Sequence, residues 1–110
     1  MDTPFVLVVF GATGDLMKNK LLPSLLKLYQ QKKLGEKFYI VGFARRPFTN
    51  EEFRKDMVLH LRSTNQYHSA WESFRNNLYY QDGDFNDPRG YIELIKTLIE
   101  VKKAMKLDYF

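Results

Sequence analysis

The chain has no cysteine among its 110 residues. Disulfide bridges, thiolate nucleophiles and zinc sites built on cysteine are therefore excluded, and a reducing compartment is compatible with this composition. The sequence also lacks an apolar run long enough to span a bilayer, and no basic flank precedes the short apolar stretch near the amino terminus. We therefore expect a cytoplasmic protein with no membrane partner.

Charge of one sign is not concentrated anywhere along the chain. The formal net charge of +4 favours anionic partners, but basic residues are interspersed with acidic ones and form no long block. We therefore expect no nucleic-acid partner.

His60 and His68 have no neighbours in sequence that would complete a metal site or a catalytic triad, so we expect neither to take part in catalysis or metal binding. The chain contains 45% hydrophobic and 15% aromatic residues, which is enough to form the hydrophobic core of one domain.

The strongest local signal is an apolar run at residues 5–10 that leads into a glycine turn at 11–14 and then into a helical pattern. The uninterrupted run predicts a strand buried on both faces, as in a parallel sheet. Gly11 and Gly14 match the second and third glycines of the dinucleotide fingerprint G-x-G-x-x-G, with Val9 at the position of the first. A tight turn without a ligand is the alternative, because glycine serves wherever φ is positive. A P-loop is excluded, since no Gly-Lys-Ser/Thr follows the turn.

Apolar residues after the turn recur at helical spacing as far as Tyr29. Pro23 lies inside this pattern, where it lacks an N–H and disfavours the α conformation of the preceding residue. Either the helix is kinked at Pro23, or residues 15–20 form a separate short turn and the main helix begins near Pro23. Gly35 is predicted to cap the carboxyl end of this helix.

The remaining chain continues to alternate strand and helix patterns. Strands are predicted at 38–43 and 78–81, the latter followed by a turn at 82–84, and the beginning of a fourth strand at 107–110. Helices are predicted after a cap at Thr49 or Asn50 with the apolar stripe Phe53, Met57, Val58 and Leu61, over 69–76 with Trp71 and Phe74, and from Pro88 after a cap at Asn86 or Asp87. This order predicts an α/β fold. We expect a Rossmann-like parallel sheet with helices on both faces, truncated at the start of the fourth strand, in a single domain over residues 1–110.

Two arginines, Arg45 and Arg46, follow the second predicted strand. Dinucleotide folds read the adenine ribose at this position, with an acid for the 2′-hydroxyl of NAD and an arginine for the 2′-phosphate of NADP. The absence of an acid and the presence of two guanidiniums favour NADP as the cofactor. The alternative is that both arginines are solvated loop residues.

Several stretches together resemble the glucose-6-phosphate dehydrogenase family. They are Gly11-Ala12-Thr13-Gly14-Asp15-Leu16, the following Lys20-Leu21-Leu22-Pro23, Val41-Gly42-Phe43-Ala44-Arg45, Trp71-Glu72-Ser73-Phe74, and residues 78–88. The resemblance covers essentially the whole chain and implies the amino-terminal part of an NADP-binding domain. The family's Asp-His-Tyr-Leu-Gly-Lys-Glu run has no counterpart, so we expect no catalytic residues and no substrate domain in this chain.

The resemblance also implies roles for individual residues. The segment that would wrap the cofactor phosphates comprises Gly11, Ala12, Thr13, Gly14, Asp15, Leu16, Met17 and Lys18. Asp84 and Phe85 would lie beside the adenine. In a longer protein, the family's reaction is the oxidation of glucose 6-phosphate to its lactone with reduction of NADP, in the pentose phosphate pathway, and such a protein is expected to be a homo-oligomer.

Two other functions are alternatives to this one. A nucleotide-binding or regulatory module would keep the glycine turn and Arg45 without catalysing any reaction. A basic nucleic-acid binder would use the surface lysines and would show a steep salt dependence.

Overall fold

Three parallel strands form the sheet in the computed structural model, which describes residues 4–35 and 37–105. They are β1 (Phe5–Phe10), β2 (Phe38–Ala44) and β3 (Leu78–Asp82), in the order β1-β2-β3. Val9 of β1 lies opposite Gly42 of β2, which lies opposite Tyr80 of β3. The register therefore brings the carboxyl ends of all three strands to one edge. The predicted fourth strand at 107–110 lies outside the described residues.

The helices connect the strands in the predicted alternation. A π-helical segment (Met17–Leu21) leads into α1 (Leu22–Gln30), which is followed by α2 (Asn50–Ser63), α3 (Trp71–Phe74) with its 3-10 extension (Arg75–Asn77), and α4 (Pro88–Met105). None of the helices within 4–35 and 37–105 is both long enough and apolar enough to cross a membrane.

The two faces of the sheet carry different helices. On one face Phe38 and Ile40 pack in a core with buried residues of α1, α2 and α3, among them Leu22, Leu26, Phe53, Met57, Leu61, Trp71 and Phe74. On the other face Val41 and Phe43 pack with Leu94 and Val101 of α4. The alternation of side chains along β2 explains this division, since neighbouring residues of a strand point to opposite faces. The Rossmann-like α/β fold with helices on both faces is confirmed.

The strand that is buried on both faces is β2, not β1. All but one residue of β2 is buried, whereas in β1 only Val9 is buried and Phe10 is 54% exposed. The physical reason is position, because in the described sheet β2 lies between two strands while β1 has a neighbour on one side. The expectation that residues 5–10 would be buried on both faces is therefore wrong for the described residues.

Pro23 is accommodated by a local change of helix type. The backbone is helical from Asp15, and residues 17–21 form a π-helical turn in which the Leu22 N–H donates to the Met17 carbonyl. This i to i−5 bond widens the helix just before Pro23, whose ring would otherwise crowd the preceding turn. The α-helix then begins at Leu22 with Pro23 in its first turn, as the second predicted arrangement has it. Residues 15–21, however, are helical and continuous with α1, so they do not form the separate short turn of that prediction.

The carboxyl end of α1 corrects the prediction of Gly35 as its cap. The left-handed residue that ends the helix is Lys32, with φ of 58°. The Lys32 N–H donates to Tyr29 O at 3.0 Å and the Lys33 N–H donates to Leu28 O at 2.9 Å, which is the hydrogen-bond pattern of a Schellman motif. Gly35 also has a positive φ, 81°, but it lies three residues farther along. A non-glycine residue therefore occupies the strained position.

Replacing Lys32 with glycine is expected to stabilise the protein by about 0.5–1 kcal/mol, because the left-handed conformation is costly for a residue with a Cβ. Asn65 provides a matched control, since it has the same φ of 58° after α2 but is a residue type that tolerates this region. Asn65→Gly should change the free energy of unfolding by less. Urea denaturation measures both, and a loss of stability in Lys32→Gly would contradict the assignment.

The amino-terminal caps are Thr49 and Asp87. Thr49 Oγ1 accepts from the Glu52 N–H at 3.1 Å, and Glu52 Oε1 accepts from the Thr49 N–H at 2.9 Å, so α2 begins with a capping box. Asn50, the other predicted cap, instead accepts from the Tyr80 N–H at 2.7 Å and ties α2 to β3. Asp87 Oδ1 accepts from the Arg89 N–H at 3.0 Å at the start of α4.

Candidate functional site

A pocket of about 330 Å³ lies where the carboxyl ends of the three strands meet. Its lining residues come from the glycine turn after β1, the end of β2 and the segment after β3; they are Gly11, Thr13, Gly14, Phe43, Ala44, Arg45, Gly83 and Phe85. Open α/β sheets bind ligands at this edge. The position and the convergence of three chain segments make this pocket the candidate site.

A larger hollow of about 770 Å³ lies near the opposite edge of the sheet, beside the end of α1 and the start of α3. Its lining includes Tyr29, Leu34 and His68. His68 Nδ1 accepts from the Ala70 N–H at 2.9 Å, so this histidine has a structural partner. None of the described residues that line this hollow comes from the carboxyl end of a strand, where parallel sheets bind nucleotides.

The glycine turn after β1 is held by main-chain hydrogen bonds. Gly11 has φ of 70°, and its N–H donates to Phe43 O of β2 at 2.9 Å. The Gly14 N–H donates to Gly11 O at 3.0 Å, and the Lys18 N–H donates to Gly14 O at 3.2 Å. This last bond makes Gly14 the cap of the helical segment. The amides of Asp15, Leu16 and Met17 are therefore first-turn donors, which have no acceptor inside a helix.

These first-turn amides could hold a phosphate, because the amino end of a helix presents free N–H groups and a positive dipole. The side chains of this segment differ in burial. Those of Ala12 and Met17 are buried in the core, whereas those of Asp15 and Leu16 are exposed. The turn therefore offers its backbone, with Thr13 half-buried at the pocket.

Two glycines, Gly42 within β2 and Gly83 directly after β3, allow the elements around the pocket to approach closely. A Cβ on Gly42 would lie 2.7 Å from Ala12 Cβ and 3.0 Å from Phe53 Cζ. A Cβ on Gly83 would lie 2.8 Å from Phe43 Cε1. The contacts at 2.7 and 2.8 Å are shorter than two carbon atoms can tolerate unless a neighbouring group shifts. The packing of the glycine turn onto β2 depends on the absence of a side chain at Gly42.

Arg45 and Asp84 face each other across the mouth of the pocket. An Arg45 guanidinium nitrogen lies 3.6 Å from Asp84 Oδ1, and the side chains are 73% and 42% exposed. Phe85 is 55% exposed and lines the same pocket. An exposed guanidinium and an exposed aromatic ring beside the glycine turn can together hold the phosphate and the base of a nucleotide.

Arg46 is placed differently from Arg45. Its guanidinium carbon lies 5.6 Å from the centre of the Phe48 ring, and its carbonyl accepts from the Tyr80 hydroxyl at 2.6 Å. Burial, with a smaller effect of Asp82, raises the pKa of Tyr80 to about 12, so the hydroxyl remains a donor at neutral pH. Arg46 anchors the loop after β2 and is not among the residues that line the pocket.

Lys18 is also turned away from the pocket lining. Its Nζ lies 3.0 Å from Asp56 Oδ2 of α2, and both side chains are mostly buried, at 22% and 26% exposed. This ion pair joins the π-helical segment to α2. Of the residues that sequence reasoning assigned to the cofactor, the pocket lining brings together Gly11, Thr13, Gly14, Arg45 and Phe85, with Asp84 beside Arg45.

Three lining residues were not identified from the sequence as site residues, namely Phe43, Ala44 and Gly83. Gly83 continues the pairing of β3 with β2, since its N–H donates to Ala44 O at 2.8 Å. The sequence could have indicated these three residues, because they lie at the carboxyl ends of predicted parallel strands, where open α/β sheets bind ligands. Within residues 4–35 and 37–105 no group of three or more His, Asp or Glu side chains is placed to hold a metal ion.

Comparisons with known proteins agree with this geometry. Residues 8–109 match the model of the family described as glucose-6-phosphate dehydrogenase, NAD binding domain. The chain is 43% identical over 102 residues to glucose-6-phosphate 1-dehydrogenase of Bacillus subtilis, covering 93% of this chain and 20% of the relative. It is 40% identical over 104 residues to that of Chlamydia pneumoniae, covering 92% of this chain and again 20% of the relative.

A solved structure of a glucose-6-phosphate dehydrogenase in complex with its substrate glucose 6-phosphate superposes with a TM-score of 0.81. Sequence identity in this pair is 31%, and the alignment covers 97% of this chain and 22% of the other. The chain thus spans about a fifth of the length of the relatives that it matches. Because the family model matches nearly all of it, the chain belongs to the glucose-6-phosphate dehydrogenase family, and it matches that family's NAD binding domain.

Proposed function

We propose that the chain binds NADP as the coenzyme-binding part of a cytoplasmic enzyme that oxidises glucose 6-phosphate to its lactone. The observation that supports this proposal best is the convergence of the glycine turn, Arg45 and Phe85 on one pocket at the carboxyl edge of the sheet. A dinucleotide needs donors for its pyrophosphate and a partner for its adenosine end, and these residues supply both.

Each part of the site has a distinct task in this proposal. The backbone of residues 11–18 wraps the pyrophosphate, and the first-turn amides of Asp15, Leu16 and Met17 donate to it. Arg45 meets the 2′-phosphate, and Phe85 lies against the adenine. Ala12 and Met17 contribute through the main chain, since their side chains are buried. Lys18 acts through the ion pair that orients the segment after the turn.

The bound cofactor would accept the hydride of the sugar, and this chain would hold its adenosine and pyrophosphate. We propose that the sugar phosphate and the catalytic base are held outside this chain, in a longer protein that assembles as a homo-oligomer. The chain spans about a fifth of its relatives' length, which supports this division of tasks.

Calorimetric titration with NADP, combined with an assay for NADPH formation from glucose 6-phosphate, tests both parts of the proposal. We expect the full chain to bind NADP and to show no turnover at high protein concentration. Absence of NADP binding in a protein that is folded by circular dichroism would contradict the coenzyme function. Turnover above background would contradict the expected absence of catalytic residues.

A further inference from the structure

The end of β3 brings an acidic side chain to the mouth of the candidate pocket. Asp84 Oδ1 lies 3.6 Å from the Arg45 guanidinium, although the two residues follow different strands. The Gly83 N–H donates to Ala44 O at 2.8 Å, so the segments carrying Arg45 and Asp84 are joined just before each of them. The opposition of the two charges is therefore a consequence of strand pairing.

The position of Asp84 is fixed by local contacts as well. Its Oδ1 accepts from the Asn86 N–H at 2.9 Å, which sets the side chain in a compact turn. A Cβ on Gly90 would lie 2.8 Å from Asp84 O, so the start of α4 packs directly against this backbone. The carboxylate is consequently held at the pocket mouth while the Arg45 side chain is the more exposed partner.

We propose that Asp84 sets the cofactor preference of this pocket by opposing Arg45, lowering affinity for a 2′-phosphate and raising affinity for a 2′-hydroxyl. The inference rests on the proposed function and concerns the same pocket. Dinucleotide folds use an acid to accept from the ribose 2′-hydroxyl and an arginine to bind the 2′-phosphate. Here both groups border one site, and the acid comes from the third strand.

Two physical effects act in the same direction. The Asp84 carboxylate repels a 2′-phosphate, and it competes with that phosphate for the Arg45 guanidinium. The same carboxylate can accept a hydrogen bond from a 2′-hydroxyl, and an ionised acceptor makes the stronger bond. The pocket therefore accepts both dinucleotides, and its preference for NADP is smaller than Arg45 alone would produce.

The test is calorimetric titration of the full chain and its Asp84→Asn variant with adenosine 2′,5′-bisphosphate and adenosine 5′-monophosphate. Asparagine keeps one oxygen that can accept from the Asn86 N–H, removes the negative charge and replaces the second carboxylate oxygen with an NH2 donor. Because the ion pair is exposed, we expect the bisphosphate to bind about three- to tenfold more tightly and the monophosphate about two- to threefold more weakly. Asp84→Ser, whose hydroxyl can also accept from that amide, should shift both affinities in the same directions.

Asp82→Asn is the matched control, since Asp82 is an exposed carboxylate at the end of the same strand. Its effect on either probe should be less than about twofold, because screening weakens the interaction of more distant exposed charges. Equal shifts for the two probes, no shift in either Asp84 variant, or an Asp82→Asn effect as large as that of Asp84→Asn would overturn the inference. Failure of the unmodified folded chain to bind either probe would instead overturn the proposed function.

Discussion

Replacing Arg45 with alanine is expected to weaken NADP binding by roughly ten- to a hundredfold, with a much smaller loss for NAD. A guanidinium meets a phosphate through two parallel charge-assisted hydrogen bonds, each contributing about 1.5–3 kcal/mol where water is partly excluded. The side chain is 73% exposed, which reduces that contribution. The smaller loss for NAD would report contact of the guanidinium with the adenine. Calorimetric titration of both dinucleotides measures the two effects.

Two variants make this result interpretable. Arg46→Ala should change either affinity little, because its guanidinium is placed over Phe48 and away from the pocket lining. Gly11→Val should weaken both dinucleotides alike, because the φ of 70° at Gly11 strains a β-branched residue and the glycine turn would serve the pyrophosphate that both dinucleotides share. Equal losses of NADP and NAD in Arg45→Ala would show that this residue does not read the 2′-phosphate.

Replacing Gly42 with valine is expected to lower the free energy of unfolding by roughly 3 kcal/mol, a large part of the stability of a small domain. The Cβ alone would lie 2.7 Å from Ala12 Cβ and 3.0 Å from Phe53 Cζ, and Ala12 and Phe53 are both fully buried. Neither neighbour can move into solvent. Urea denaturation followed by circular dichroism measures the loss, and a variant as stable as the parent chain would contradict the observed packing.

A double-mutant cycle separates this clash from a general effect of strand composition. Gly42→Ala introduces the Cβ alone, and Ala12→Gly removes the nearest of the atoms that it would meet. The double variant should be more stable than the sum of the two single effects predicts, by about 1 kcal/mol. Strict additivity would mean that Ala12 and Gly42 do not constrain each other.

The glycine turn illustrates what could be predicted from the sequence. Gly11 has the positive φ that its position after a strand indicated, and helical structure begins at Asp15. Turn conformation, helix capping and the widening of the helix before Pro23 all arise from residues close together in the chain. Prediction failed locally at Lys32, because glycine was sought as the left-handed residue and a lysine occupies that conformation.

The burial of the strands could not be predicted in the same way. Residues 5–10 form the more continuous apolar run, but β2 lies in the middle of the described sheet and is the more buried strand. An apolar run indicates that a segment can be buried. Which neighbours cover it depends on the strand order, and that order is a property of the assembled sheet.

The sequence by itself determined the α/β alternation, the glycine turn, most of the caps and the family, since each depends on residue types at short spacing. Only the tertiary structure decided which charged groups meet. Lys18 pairs with Asp56 of α2, and Arg45 faces Asp84. Both pairs join residues far apart in the chain, and both depend on strand pairing and helix packing, which place side chains that no local pattern relates.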